Sequence, residues 1–213
     1  MNNWCCNMSD IKKALYAGVL VGIGDIVYTV SGNIYIGAML FSLALLTIIN
    51  SKLNLYTGKI GYYKNYTPPF IMKMLAMNFI GVLLVCCLFF ISHAGIDEPI
   101  LKIARDKFAC RPMDLYNRGI LCGMCMYIAV SNKRQIITIF SIMTFILCGF
   151  RHCIADFPFL IMNFSYMNLL KFIMIVLGNS IGAIVMNFLT NNKNKGRLLS
   201  LPLKLFTICV LRS

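Results

Sequence analysis

The decapeptide CGFRHCIADF, Cys148 to Phe157, sets an Arg, a His and an Asp between two strongly apolar runs. An ionised group at mid-membrane costs about 2.5–3.5 kcal/mol on insertion scales, so residues of this kind carry a task or a partner there. His152 has the most adjustable chemistry of the three, because an imidazole changes charge near neutral pH and its surroundings move it easily. An arriving anion favours proton transfer from such a ring or a strong hydrogen bond to it. A histidine in a broken helix also has a plain structural use, holding a loop by hydrogen bonds. Asp25, in GIGDIV, is the other acid inside an apolar run. Three roles are open to it: capping an irregular turn, pairing with Arg118 or Arg151, or lining a vestibule. Cys122-x-x-Cys125 has a redox or zinc spacing. No second pair or histidine cluster accompanies it, so it reads as helix packing, and no metal or cofactor is expected. His93 falls at a helix end beside a loop and reads as an interfacial residue.

The elements that must position these groups are membrane helices. The chain has 213 residues, of which 59% are hydrophobic and 13% charged, and its mean hydropathy is +0.77. That is too little charge to clothe a soluble globule, whose surface needs about a quarter charged groups. Ten cysteines raise the question of disulfides. Cys86, Cys87, Cys122, Cys125 and Cys148 lie within apolar runs, however, where a cysteine behaves as a small hydrophobe. The opening MNNWCCNMSDIKKALY is polar, and no cleavable signal peptide is expected. The net charge is +13. Lys12, Lys13, Lys59, Lys64, Lys133, Arg134, Lys193, Lys195 and Arg197 all fall at the ends of hydrophobic segments. This is a topology signal rather than a basic stripe for nucleic acid, and no nucleic-acid partner is expected.

A bilayer core needs about 20 apolar residues per helix. Spans are expected at 14–31, 34–50, 69–92, 114–131, 136–164 and 169–190, joined by alternating basic and poorly basic loops. The loop from His93 to Met113 is mixed in charge. Six spans with both termini cytoplasmic fit this alternation, with 1–13 a short amino-terminal segment and 191–213 a carboxy-terminal tail of one domain. The second span runs into NSKLNLYTGK and the fifth into the decapeptide, so both are expected to break. Non-helical backbone at membrane depth is tolerated where protein buries it or it lines a water-filled cavity, and paired breaks mark a transport pathway. NFIG, Asn78 to Gly81, follows the first break, and NSIG, Asn179 to Gly182, follows the second. Each half then has three helices, and an odd number requires the halves to be inverted. Gly18, Gly22 and Gly24, with Gly119 and Gly123, suit close helix contacts.

FSLALLTIINSKLNLYTGK, GILCGMCMYIAV, GFRHCIADF and LGNSIGAIV together resemble the formate/nitrite transporter family, in order and over nearly the whole chain. The resemblance implies an all-α integral membrane protein with an aquaporin-like protomer: six helices in an inverted 3+3 repeat with broken second and fifth helices. It further implies a homopentamer in the lipid bilayer in which each protomer has its own pore for small monovalent anions. Matched position by position, His152 is the central pore histidine and Thr57 the threonine of the first broken helix. Phe41 and Phe145 form the outer constriction, Leu45 and Tyr56 the inner one. Lys107, twelve residues before Gly119, is the lysine that makes the vestibule electropositive.

Three departures from the family stand out, at four positions. The inner aromatic is Tyr56 in place of Phe. Gly123 stands where the family sets an Asn facing the histidine, and is expected to widen the chamber. Arg151 and Asp156 replace a Glu and an Asn, and are expected to form a compensating pair. The constrictions dehydrate: a bare anion loses too much hydration there, whereas a neutral acid does not. Lys107 concentrates anions, or is simply a solvated loop lysine. The hydroxyl of Thr57 donates or accepts. The chain therefore reads as a transporter rather than an enzyme, for formate, nitrite or hydrosulfide, with protonation in the pore. Two other readings stand beside it: a neutral-solute pore for water, hydrogen sulfide or ammonia, and a membrane redox or sensor subunit.

Overall fold

The computed structural model describes residues 8–92 and 98–191, and every regular element among them is helical. His93, residues 1–7 and 192–213, and with them Lys193, Lys195 and Arg197, lie outside the described residues. In chain order the helices are α1 (Met8–Val30), α2 (Ile34–Asn50), α3 (Tyr56–Lys59), α4 (Pro68–Ser92), α5 (Glu98–Lys107), α6 (Pro112–Ser131), α7 (Gln135–Leu147), α8 (Cys153–Met162) and α9 (Tyr166–Asn191). A 3-10 segment, Ile60–Asn65, continues α3. α1, α4 and α9 are long and apolar enough to cross a membrane. α2, α7 and α8 are apolar but shorter, because the chain breaks after α2 and after α7.

Both breaks have the same anatomy. α2 ends with Lys52 N–H donating to Ile49 O (3.1 Å) and Leu53 N–H to Ile48 O (3.0 Å). α7 ends with Gly149 N–H donating to Ile146 O (3.0 Å) and Phe150 N–H to Phe145 O (2.9 Å). Both are Schellman closures, which need a left-handed residue just past the helix. Lys52 (φ 52) and Gly149 (φ 66) fill that position. Glycine does so freely; the lysine carries the cost of a Cβ in the same conformation.

Extended backbone follows, and one buried asparagine then re-anchors the chain in each half. Asn78 Oδ1 accepts from Tyr56 N–H (2.8 Å), while its Nδ2 donates to Ala14 O (2.7 Å) and Asn54 O (3.0 Å). Asn179 Oδ1 accepts from Cys153 N–H (2.9 Å), while its Nδ2 donates to Gly119 O (2.9 Å) and Arg151 O (2.8 Å). A break exposes backbone groups that have no partner in an apolar interior, and each amide satisfies three of them. NFIG and NSIG are the sequence trace of these two clamps.

The clamps need helices in close contact. α1 packs along α4, and α6 along α9. A Cβ on Gly18 would stand 2.2 Å from Asn78 O, and one on Gly123 2.2 Å from Asn179 O. This corrects the expectation for Gly123. It lies in the seam between α6 and α9, where its missing side chain lets the backbones touch, and it adds no volume beside His152.

Two further boundaries differ from expectation. The loop His93–Met113 contains α5, whose first turn carries Glu98 and whose last turn carries Arg105 and Lys107. Those charges suit the helix dipole, Arg105 pairs with Glu98, and Ala104 is buried against the core. Only the first half of the decapeptide is non-helical, since Cys153 to Phe157 open α8. The reason is local: His152 caps α8, its Nδ1 accepting from Ala155 N–H at 3.3 Å.

Candidate functional site

His152 is 2% exposed and stands where the two broken helices meet. Its Nδ1 accepts from the backbone of α8, which assigns the ring hydrogen of the neutral tautomer to Nε2. Nε2 lies 2.8 Å from Thr57 Oγ1, on the other broken helix. The donor pattern then runs from Nε2–H to Oγ1, and the hydrogen of the threonine hydroxyl remains for a third group. Phe145 stacks on the imidazole with ring centroids 5.7 Å apart and an interplanar angle of 16°. Phe41 meets Phe145 edge-on, at 6.3 Å and 87°.

A cavity of about 300 Å³ begins at Phe41, Phe145 and His152 and continues to Asp25, Lys107, Arg151 and Asp156. Leu45, Tyr56 and Thr57 are buried but do not line it. The tyrosine at position 56 has a definite use for its extra oxygen. Its hydroxyl lies 2.8 Å from Ser180 Oγ, which itself donates to Val176 O at 2.7 Å. The serine hydrogen is therefore committed, so Tyr56 donates and its ring is tied to α9.

The charged groups differ in arrangement from a simple pair. Asp156 Oδ1 accepts from Lys107 Nζ at 2.8 Å. Its Oδ2 lies 3.0 Å from Arg151 Nε. That second approach is an ion contact without hydrogen-bond direction, since neither atom has a hydrogen-bond partner. Arg151 and Asp156 are thus in contact as expected, but Lys107 shares the same carboxylate. Lys107 is accordingly no solvated loop residue. Its ammonium also sits 4.4 Å from the centre of the Phe159 ring, a cation–π contact. Asp25 lines this cavity. It sits within the regular helix α1, and Arg118 is exposed.

Sequence reasoning missed Phe159, Ser180 and α5, whose last turn aims Lys107. A short tetrapeptide signal existed for Asn78 and Asn179, in NFIG and NSIG. Among the described residues, no group of three His, Cys, Asp or Glu side chains is set to hold a metal.

Comparison with known proteins agrees with this architecture. No curated protein matches the chain. A solved structure titled "FNT family ion channel" superposes with a TM-score of 0.72 at 17% identity, over 85% of this chain and 88% of the other. A second, "Pentameric formate channel with formate bound", superposes with a TM-score of 0.69 at 16% identity, over 85% and 94%. At such identities the likeness is one of fold. The family model described as Formate/nitrite transporter matches residues 8–191. All of the described residues fall within that match, so this multi-pass membrane protein belongs to the formate/nitrite transporter family.

Proposed function

We propose that the protein conducts small monovalent anions of the formate, nitrite or hydrosulfide class across a membrane, and that the permeant is protonated to its neutral acid in the pore. The observation that carries this reading is the His152–Thr57 contact, which joins the two broken helices directly behind the Phe41–Phe145 pair. A neutral acid crosses such apolar rings with little loss of hydration, whereas its anion does not. The repeated breaks and asparagine clamps support six spans arranged as an inverted 3+3 repeat with an aquaporin-like protomer. The solved channel titled as pentameric supports a homopentamer, and the basic loops support cytoplasmic termini. The transport reading also supports a non-enzymatic role.

Uptake of formate, nitrite, lactate and hydrosulfide into proteoliposomes across a pH series tests this. Flux of a weak-acid anion should rise as external pH falls, because the protonated fraction grows. Flux equal to that of empty vesicles for every anion would sink the reading.

A second reading, a pore for water, hydrogen sulfide or ammonia, is favoured by one observation. Asp25 and Asp156 offset Lys107 and Arg151 around the cavity, so these four groups add no net positive charge. Stopped-flow water and ammonia permeability in the same vesicles separates the two readings.

A further inference from the structure

The cavity that reaches His152 is lined by three buried polar groups with atoms that the described protein leaves without a hydrogen bond: Asp25, Arg151 and Asp156. Asp25 is 5% exposed and its Oδ2 has no hydrogen-bond partner. Arg151 is 8% exposed and its Nε and Nη2 have none. Buried polar atoms are nearly always hydrogen-bonded, so an orphan acceptor and orphan donors lining one cavity indicate a guest that completes both. Asp156 Oδ1 is held by Lys107, and its Oδ2 is in ion contact with Arg151 Nε at 3.0 Å, so the atoms left wholly to a guest are Asp25 Oδ2 and Arg151 Nη2.

The charges around Asp25 narrow the guest. On its own helix stands Tyr28, and from α4 comes Cys86. The end of α5 brings Lys107 and, exposed at the mouth, Asp106. The link between α7 and α8 brings Arg151 and His152, and α8 brings Asp156; α2 contributes only the uncharged Phe41. The four groups Asp25, Lys107, Arg151 and Asp156 balance to zero when all are ionised. A bare anion would leave this low-dielectric cluster negative, whereas an anion accompanied by one proton leaves it balanced.

Resting on the anion-transport reading above, we propose that Asp25 and Arg151 form a loading subsite that takes one small monovalent anion together with one proton, ahead of His152. The anion accepts N–H from the Arg151 guanidinium. One proton from the bulk solution, entering through the cavity, goes to Asp25 Oδ2, which then donates its O–H to the same anion. On departure towards the aromatic pair, the proton passes from Asp25 to the anion and the guest leaves as the neutral acid. No electrons are transferred, and Asp25 returns to its carboxylate.

The test uses the purified full-length protein, with formate as the probe. Calorimetry in two buffers of different ionisation heat gives the protons taken up per formate bound, expected to be about one for the wild type. In Asp25→Asn formate should still bind with uptake near zero, and its flux in vesicles should lose most of its pH dependence. Infrared difference spectra of the wild type with ¹³C-formate should show the carbonyl stretch of a protonated side-chain carboxyl. That measurement decides the matter even if Asp25→Asn fails to assemble, and a spectrum without such a band overturns the subsite. So does proton uptake, or a pH profile of flux, that is unchanged in Asp25→Asn. Failure of the transport reading itself looks different: wild-type vesicles then move no anion at all.

Discussion

Thr57 Oγ1 and His152 Nε2 meet at 2.8 Å although 95 positions separate them in the chain. Each sits beside a backbone N–H held by a buried asparagine, Tyr56 by Asn78 and Cys153 by Asn179. The contact is therefore set by two clamps rather than by either loop alone. Thr57→Val keeps the shape but leaves Nε2–H buried without an acceptor, a loss of about 1–3 kcal/mol. We expect a formate flux at least about tenfold lower with assembly retained, checked by vesicle uptake and size-exclusion chromatography. Wild-type flux in Thr57→Val would remove the hydroxyl from the pathway.

His152 has two tasks that substitution can separate. His152→Asn keeps a side-chain acceptor to cap α8 but has no titratable ring, whereas His152→Phe loses both. Loss of the cap alone should cost about 1 kcal/mol. Both variants should lose transport, and Phe should be the less stable in a denaturation series. If His152→Asn transports with the wild-type pH profile, the histidine is purely structural.

Asp156 holds two cations, so its removal should be the most damaging change in the charge cluster. Breaking a buried ion pair by deleting one partner costs about 3–5 kcal/mol, because the other charge is stranded. Asp156→Asn strands both Lys107 and Arg151, while Arg151→Gln leaves Lys107 in place. Asp156→Asn should therefore destabilise more. The double variant Arg151→Gln/Asp156→Asn should recover only part of the loss, because Lys107 is still unpaired. Strictly additive losses in a thermal cycle would show that the 3.0 Å approach of Arg151 to Asp156 carries no coupling.

Gly123 should govern assembly rather than selectivity. Gly123→Ala forces a Cβ against Asn179 O and must part α6 from α9, and Gly18→Ala does the same to α1 and α4. Overpacking of this kind costs about 1–3 kcal/mol or more. Both variants should lower thermal stability while leaving the formate-to-hydrosulfide flux ratio of the folded fraction unchanged. A shifted ratio in Gly123→Ala would restore the chamber role that the sequence alone suggests.

The two asparagine clamps should be interchangeable in their importance. Asn78→Ala and Asn179→Ala each leave one N–H and two carbonyls without their partner. At about 1–3 kcal/mol for each stranded group, either variant should fail to accumulate as folded protein or unfold far below the wild type. Near-normal stability in one variant, measured by fluorescence size-exclusion with heating, would show that the halves differ in spite of matching bonds.

Much of this architecture is written locally. Hydropathy marks the spans, because a bilayer tolerates only long apolar helices, and polar Asn and Lys after Ile49 mark the first break. His152, Arg151 and Asp156 stand out because ionisable groups are rare in such company. Pairing and facing are not local properties, and these only the tertiary structure decided. Gly123 reads as a vacancy until α9 is seen against it, since a missing side chain opens a chamber or closes a seam depending on what it faces. Lys107 reads as a loop cation until α5 turns it onto Asp156. The amide of Asn179 reaches groups 28 and 60 positions away, a distance across which no periodicity carries information. Sequence determines which groups need a partner in an apolar interior; the packing of the helices selects the partner, because in that medium each buried polar group must take whichever complement the backbone brings within reach.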